Sequence, residues 1–94
     1  MIGIVATIKT KLGQGAAFEA VASMLAREVN ANEPGCLLYV LCRADQADTY
    51  VFMERYQDDA AVEAHRAAPH FKEYGRKMGE FMDGRPQVQI LHEV

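Results

Sequence analysis

The sequence predicts a single α+β domain in which one four-stranded antiparallel sheet carries helices on one face. Two kinds of segment point to it. Residues 2–9, 36–43, 49–56 and 87–94 are rich in β-branched and aromatic residues, as strands require, whereas 16–31 and the stretch from Asp58 to Met82 place apolar residues at helical spacing. A third observation is length: 94 residues leave room for one hydrophobic core and no second domain.

Taken in order, Ile2 to Lys9 is the first strand, with Ile2, Ile4, Ala6 and Ile8 on one face and Val5, Thr7 and Lys9 on the other. Leu12-Gly-Gln-Gly15 turns the chain. From Ala16 to about Ala31 the period becomes helical: Phe18, Val21, Ala22, Leu25 and Val29 form an apolar stripe, with Glu19, Arg27 and Glu28 mostly outside it. Asn32-Glu-Pro-Gly35 stops that helix, because proline and glycine together end it and reverse the chain.

Cys36 to Arg43 is the second strand. Simple alternation puts Cys36, Leu38, Val40 and Cys42 on one face and Leu37, Tyr39 and Leu41 on the other. Thr49 to Tyr56 is the third strand, with Tyr50, Phe52, Glu54 and Tyr56 facing one way and Val51, Met53 and Arg55 the other. Asp58 suits an N-cap, since its carboxylate can accept from backbone N–H groups of the first helical turn. Pro69 cannot continue this helix but can open a new one at its first position. Phe71, Tyr74 and Met78, continued by Phe81 and Met82, keep an apolar stripe, in which Gly75 and Gly79 are expected to allow close backbone approach. Asp83-Gly-Arg-Pro86 is a turn, and Gln87 to Val94 is the last strand. The order β-α-β-β-α-β is the ferredoxin-like arrangement.

Two helices cover only one face of a sheet whose strands are apolar on both. The face carrying Ile2, Ile4, Ile8, Cys36, Leu38, Val40, Phe52 and Ile90 is the more apolar and is expected to hold the helices. Val5, Leu37, Tyr39, Leu41, Val51, Met53 and Leu91 would then meet water, and an apolar patch of that size marks an association surface. A second copy packed sheet to sheet with two-fold symmetry covers it, so a homodimer is expected.

The net charge of −3 and pI near 5.5, with no basic cluster beyond Arg76–Lys77, exclude a nucleic-acid surface. No run reaches the ~18–20 apolar residues of a membrane span, and Met1-Ile-Gly-Ile-Val-Ala enters a strand pattern without a basic leader, so a cytoplasmic location is expected. Cys36 and Cys42 lie on one strand about 20 Å apart, too far for a disulfide. Metal binding is not expected: His65 and His70 are five residues apart with a proline between them, and no cysteine or carboxylate completes a ligand set.

The candidate chemistry lies between Tyr50 and Phe71. Glu54 stands among three aromatic residues on the helix-bearing face, and His65, with Ala61 and Val62, leans toward the sheet from the following helix. A largely apolar pocket with a few convergent polar groups is the usual form of a small-molecule site. Desolvation would raise the pKa of Glu54 and make it a better base, and a Glu–His contact would hold the imidazole in one tautomer. The alternatives are that Glu54 accepts hydrogen bonds at the pocket edge and that His65 is a packing residue. His70, near a helix start, reads as structural or as touching ligand. His92 shares the Glu54 face by parity.

The chain resembles the antibiotic biosynthesis monooxygenase domain family over essentially its full length. The resemblance rests on Asn32-Glu-Pro-Gly-Cys36, on Tyr50-Val-Phe-Met-Glu-Arg-Tyr56, and on Ala61 through Ala64-His65 to Pro69-His-Phe-Lys72. It implies a dimeric α+β barrel of two ferredoxin-like subunits. It also implies oxidation of a small quinol or phenolic aromatic by O2 with no metal and no flavin. On that reading Glu54 and His65 are the catalytic pair, while Tyr50, Phe52, Tyr56, His70, Phe71 and Tyr74 bind substrate. Haem-degrading members carry a ligand histidine in the last helix at a position that falls near Gly75, which disfavours haem here. The family also contains an isomerase acting on a phosphorylated signalling metabolite, and a non-catalytic ligand-binding, stress-associated dimer is a further alternative.

Overall fold

The computed structural model describes all of residues 1–94. Seven elements follow one another: β1 (Ile2–Lys9), α1 (Gly15–Asn32), β2 (Cys36–Arg43), β3 (Thr49–Tyr56), α2 (Asp59–Ala67), α3 (Pro69–Gly79) and β4 (Gln87–His92). The strands form one antiparallel sheet in the order β2-β3-β1-β4, a ferredoxin-like α+β fold in which α2 and α3 share the place of the second helix. No helix is long and apolar enough to cross a membrane.

The split of that second helix is local chemistry. Asp58 caps α2 by accepting from the Ala61 amide at 2.9 Å. Ala68 is driven out of the helical region (ψ 139°) by the proline that follows it, and Pro69 opens α3 at its first position. The chain therefore changes direction between His65 and His70, and both imidazoles can turn toward the end of α1.

The main core forms where α1 meets the sheet. Phe18, Ala22, Leu25 and Val29 are fully buried against Ile8, Tyr39, Tyr50 and Phe52, with Met78 of α3 closing the cluster. Complete burial of a side chain the size of Phe18 or Leu25 contributes roughly 1.5–3 kcal/mol, so this helix is the principal anchor of the layer above the sheet. A smaller cluster of Ile2, Ile4, Tyr56 and Val62 fixes the start of α2.

Strand β2 departs from simple alternation. A bulge lies between Cys36, which pairs with Tyr56, and Leu38, which pairs with Arg55, so two β2 residues span one step of β3. Beyond it the odd-numbered residues face the helices: Tyr39 pairs with Glu54 and Leu41 with Phe52. Tyr39 is accordingly buried, whereas Leu38 and Val40 lie partly exposed on the open face. The expected faces of Leu38, Val40, Tyr39 and Leu41 are thus exchanged, because a register shift arises from strand pairing and leaves no mark on hydropathy. Cys42 follows the shift, with its thiol 3.9 Å from the Met53 sulfur. Both cysteines are free.

Strand β4 ends at His92 and is exposed throughout, since its one strand neighbour is β1 and the helices lie over the other side of the sheet. Val88 and Ile90 pair with Ala6 and Ile4 on the helix side, yet each remains half exposed. This uncovered margin leaves a gap between the sheet and α3.

Candidate functional site

A cavity of about 410 Å³ occupies that gap. Ile4, Ala6, Phe52 and Tyr39 form its floor, Phe71, Gly75, Met78 and Gly79 of α3 its roof, and Gly84, Arg85, Pro86 and Val88 its margin. The polar side chains lining it are Glu54, His65, Arg66 and Arg85. Gly75 and Gly79 do not bring backbones together as expected. A Cβ at either would meet no atom within 4 Å, so their missing side chains keep space open.

Glu54 comes from the centre of β3 and is almost fully buried. The Tyr56 hydroxyl donates to its Oε1 at 2.6 Å. Burial pushes the Glu54 carboxyl up from 4.5 to about 7; the Tyr56 hydrogen bond and the charge of Arg66 oppose this, and the charge of Glu33 adds to it. The Tyr56 hydroxyl, itself buried beside that carboxylate, is held well above its ordinary range and stays a donor.

His65 projects from α2 into an aromatic box. Its ring centroid lies 5.2 Å from that of Tyr39, 5.4 Å from Tyr56 and 4.6 Å from Phe71. Burial lowers its pKa below 6.5, partly offset by a hydrogen-bonded carboxylate. That carboxylate is Glu33, not Glu54: both Glu33 oxygens lie 3.0 Å from Nδ1 of His65. With Glu33 ionised, Nδ1 carries the proton and donates it to Glu33. Nε2, which has no protein partner, is then the lone-pair nitrogen. The expected Glu54–His65 hydrogen bond is therefore replaced by two separate pairs, Tyr56–Glu54 and Glu33–His65, serving one cavity.

Glu33 also accepts from Nε2 of His70. Its reach depends on Gly35, where a Cβ would come within 2.7 Å of the Ala61 Cβ. Without a side chain at Gly35 the turn after α1 packs directly on α2, one helical turn before His65. Glu33 is the residue of this site that the sequence pattern does not single out, because it reads there as part of the helix stop. A signal was present: a carboxylate at the C-cap of α1 opposes the helix dipole, and nothing in the stop requires it.

Of the residues singled out from sequence, the structure brings Glu54, His65, Phe52 and Phe71 to the cavity wall. Tyr56 lies fully buried behind Glu54. Tyr50 sits two residues before Phe52 and packs on Phe18, its hydroxyl donating to Glu19 at 2.7 Å. His70 opens onto a different depression together with Glu33, Pro34 and Ala64. Tyr74 lies under the Lys77 ammonium (5.3 Å to the ring centroid) and packs on the main core. His92 is exposed at the end of β4. No group of three or more His, Cys, Asp or Glu side chains is placed to hold a metal ion.

The family model described as antibiotic biosynthesis monooxygenase matches residues 1–77. The chain belongs to that family. A Mycobacterium tuberculosis protein named "Putative monooxygenase Rv0793" is 32% identical over 59 residues, which is 63% of this chain and 58% of the mycobacterial one, less than two thirds of that relative's length. The crystal structure of a Caulobacter crescentus protein, described as a "putative antibiotic biosynthesis monooxygenase", superimposes with a TM-score of 0.95 at 40% identity, covering 99% of this chain and 89% of that one. The structure of the mycobacterial protein gives a TM-score of 0.91 at 24% identity, covering 99% of this chain and 94% of that one, a likeness of fold.

Proposed function

We propose that this antibiotic biosynthesis monooxygenase family member oxidises a small quinol or phenol with molecular oxygen in the cavity beneath α3. The observation that carries the reading is a buried carboxylate titrating near 7 in an apolar chamber that also holds an imidazole with a free Nε2. Glu54 takes the phenolic proton. The resulting anion is electron-rich enough to pass one electron to O2, so the substrate itself supplies the reducing power. Recombination puts one oxygen atom on the ring. The other leaves as water with the ring hydrogen and the phenolic hydrogen, giving a quinone. His65 handles the proton that the departing oxygen needs, its tautomer held by Glu33. Phe52, Phe71 and Met78 enclose the ring and keep water from the anion.

Oxygen consumption with a simple hydroquinone such as menadiol tests this. Uptake should fall sharply on Glu54→Gln and on His65→Ala. A rate indifferent to both substitutions is background autoxidation, and the proposal fails.

The partly exposed Leu38, Val40, Met53 and Leu91 on the open sheet face support a second proposal, a two-fold homodimer formed through that face.

A further inference from the structure

The chain as a whole carries a net charge of −3, yet the charged side chains lining the cavity are two arginines against one carboxylate. That carboxylate is only partly ionised near neutrality. Arg66 and Arg85 enter no ion pair, whereas Arg43 and Arg55 on the strands are each clamped by a glutamate, Glu19 and Glu93.

Both arginines stand on fixed supports. Arg66 follows the buried His65 in the last turn of α2. Arg85 is carried by the turn before β4, in which Gly84 takes the positive φ (87°) and the Asp83 amide donates to the Lys9 carbonyl at 2.8 Å. The Lys11 amide donates to the Phe81 carbonyl at 2.9 Å, tying the same segment to the end of β1. Two unpaired guanidinium forks on separate, anchored elements thus stand at an apolar chamber that already holds the proposed base. Both side chains are exposed at the rim of the chamber, and an aromatic ring inside it would leave its substituent within their field.

We infer that the cavity selects an aromatic acid: a phenol or quinol bearing a carboxylate that Arg66 and Arg85 receive. This rests on the reading of the cavity as the substrate site, and it goes further in naming the substituent. A guanidinium presents parallel N–H donors that match the two oxygens of a carboxylate, which a neutral ring cannot exploit.

Binding separates this from the oxidation chemistry. Titration of the full-length protein with 1-hydroxy-2-naphthoate and with 1-naphthol, followed by calorimetry at low and high salt, compares two ligands that differ in the carboxylate. The acid should bind about ten-fold more tightly, with the margin shrinking as salt rises. The double substitution Arg66→Gln, Arg85→Gln should abolish the margin, so that the variant binds the acid no more tightly than it binds 1-naphthol. The double substitution Arg76→Gln, Lys77→Gln, which removes two positive charges outside the cavity lining, should preserve the margin. Equal binding of the two ligands, or a margin that survives the loss of Arg66 and Arg85, overturns the inference. If the margin is present but menadiol oxidation ignores Glu54, the monooxygenase reading fails alone. If oxidation depends on Glu54 and no margin exists, the aromatic-acid inference fails alone.

Discussion

Both carboxylate oxygens of Glu33 lie 3.0 Å from Nδ1 of His65, although the two residues are separated by 32 positions and by two strands of the sheet. The contact places an anion against the side of the imidazole that faces away from the cavity. It makes His65 an oriented group instead of a freely rotating one, and it does so with a residue that also secures His70.

Replacing Glu33 with Gln keeps the shape but removes the charge that both imidazoles address. Oxygen uptake should drop by roughly 100-fold with little change in KM, because His65 is misoriented for its proton transfer while the apolar walls still bind the ring. Nitrogen NMR of His65 should show a mixture of tautomers in place of one. A single unchanged tautomer would show that the aromatic box, and not Glu33, sets the ring.

The pH dependence follows from Glu54, whose carboxyl is raised from 4.5 to about 7 by burial. The rate should climb through about pH 7, since only the ionised form accepts a proton, while His65, lowered below 6.5, is already neutral there. Tyr56→Phe removes the hydrogen bond that favours the anion and should move the rising limb to higher pH. Stability runs the other way. Between 4.5 and about 7 the folded chain holds more protons than the unfolded one, so the contribution of Glu54 is complete below 4.5 and is lost as pH rises through about 7. Glu54→Gln should therefore be more stable than the parent at about pH 8, by up to roughly 3 kcal/mol, while losing activity. Parallel melts of the two proteins across this range check the sign.

Gly75 offers a way to close the cavity without harming the fold. A side chain there enters open space, and replacing a helical glycine favours the helix by about 0.5–1 kcal/mol. Gly75→Leu should melt no lower than the parent yet lose affinity for naphthol-sized ligands by at least about ten-fold. Undiminished binding would place the ligand elsewhere.

Met53 lies on the open sheet face with 45% of its surface exposed. In the proposed dimer it is buried, and a carboxylate there would be desolvated beside its symmetry mate. Met53→Glu should therefore shift the protein to monomer in sedimentation analysis. A parent protein that already sediments as a monomer ends the dimer proposal.

Much of this molecule was legible in the residues alone. Strand and helix periods, the Asp58 cap, the Pro69 break and the element order follow from local sterics and hydropathy, which neighbouring residues carry in full. They also placed Glu54 and Phe52 on the helix side of β3, because β3 contains no irregularity. What local pattern could not convey is anything created by pairing. The bulge in β2 turned Tyr39 inward, and only the register of β2 against β3 decides where a bulge falls. Glu33 looked like part of a helix stop until Gly35 let that turn settle on Ala61 and brought the carboxylate to His65. The cavity is likewise tertiary: β4 lies beyond the reach of the helices, and two glycines in α3 leave the space unfilled. Sequence by itself determined which groups this protein has to work with. The tertiary structure decided which of them meet, because distance between side chains remote in the chain is set by how the layers pack.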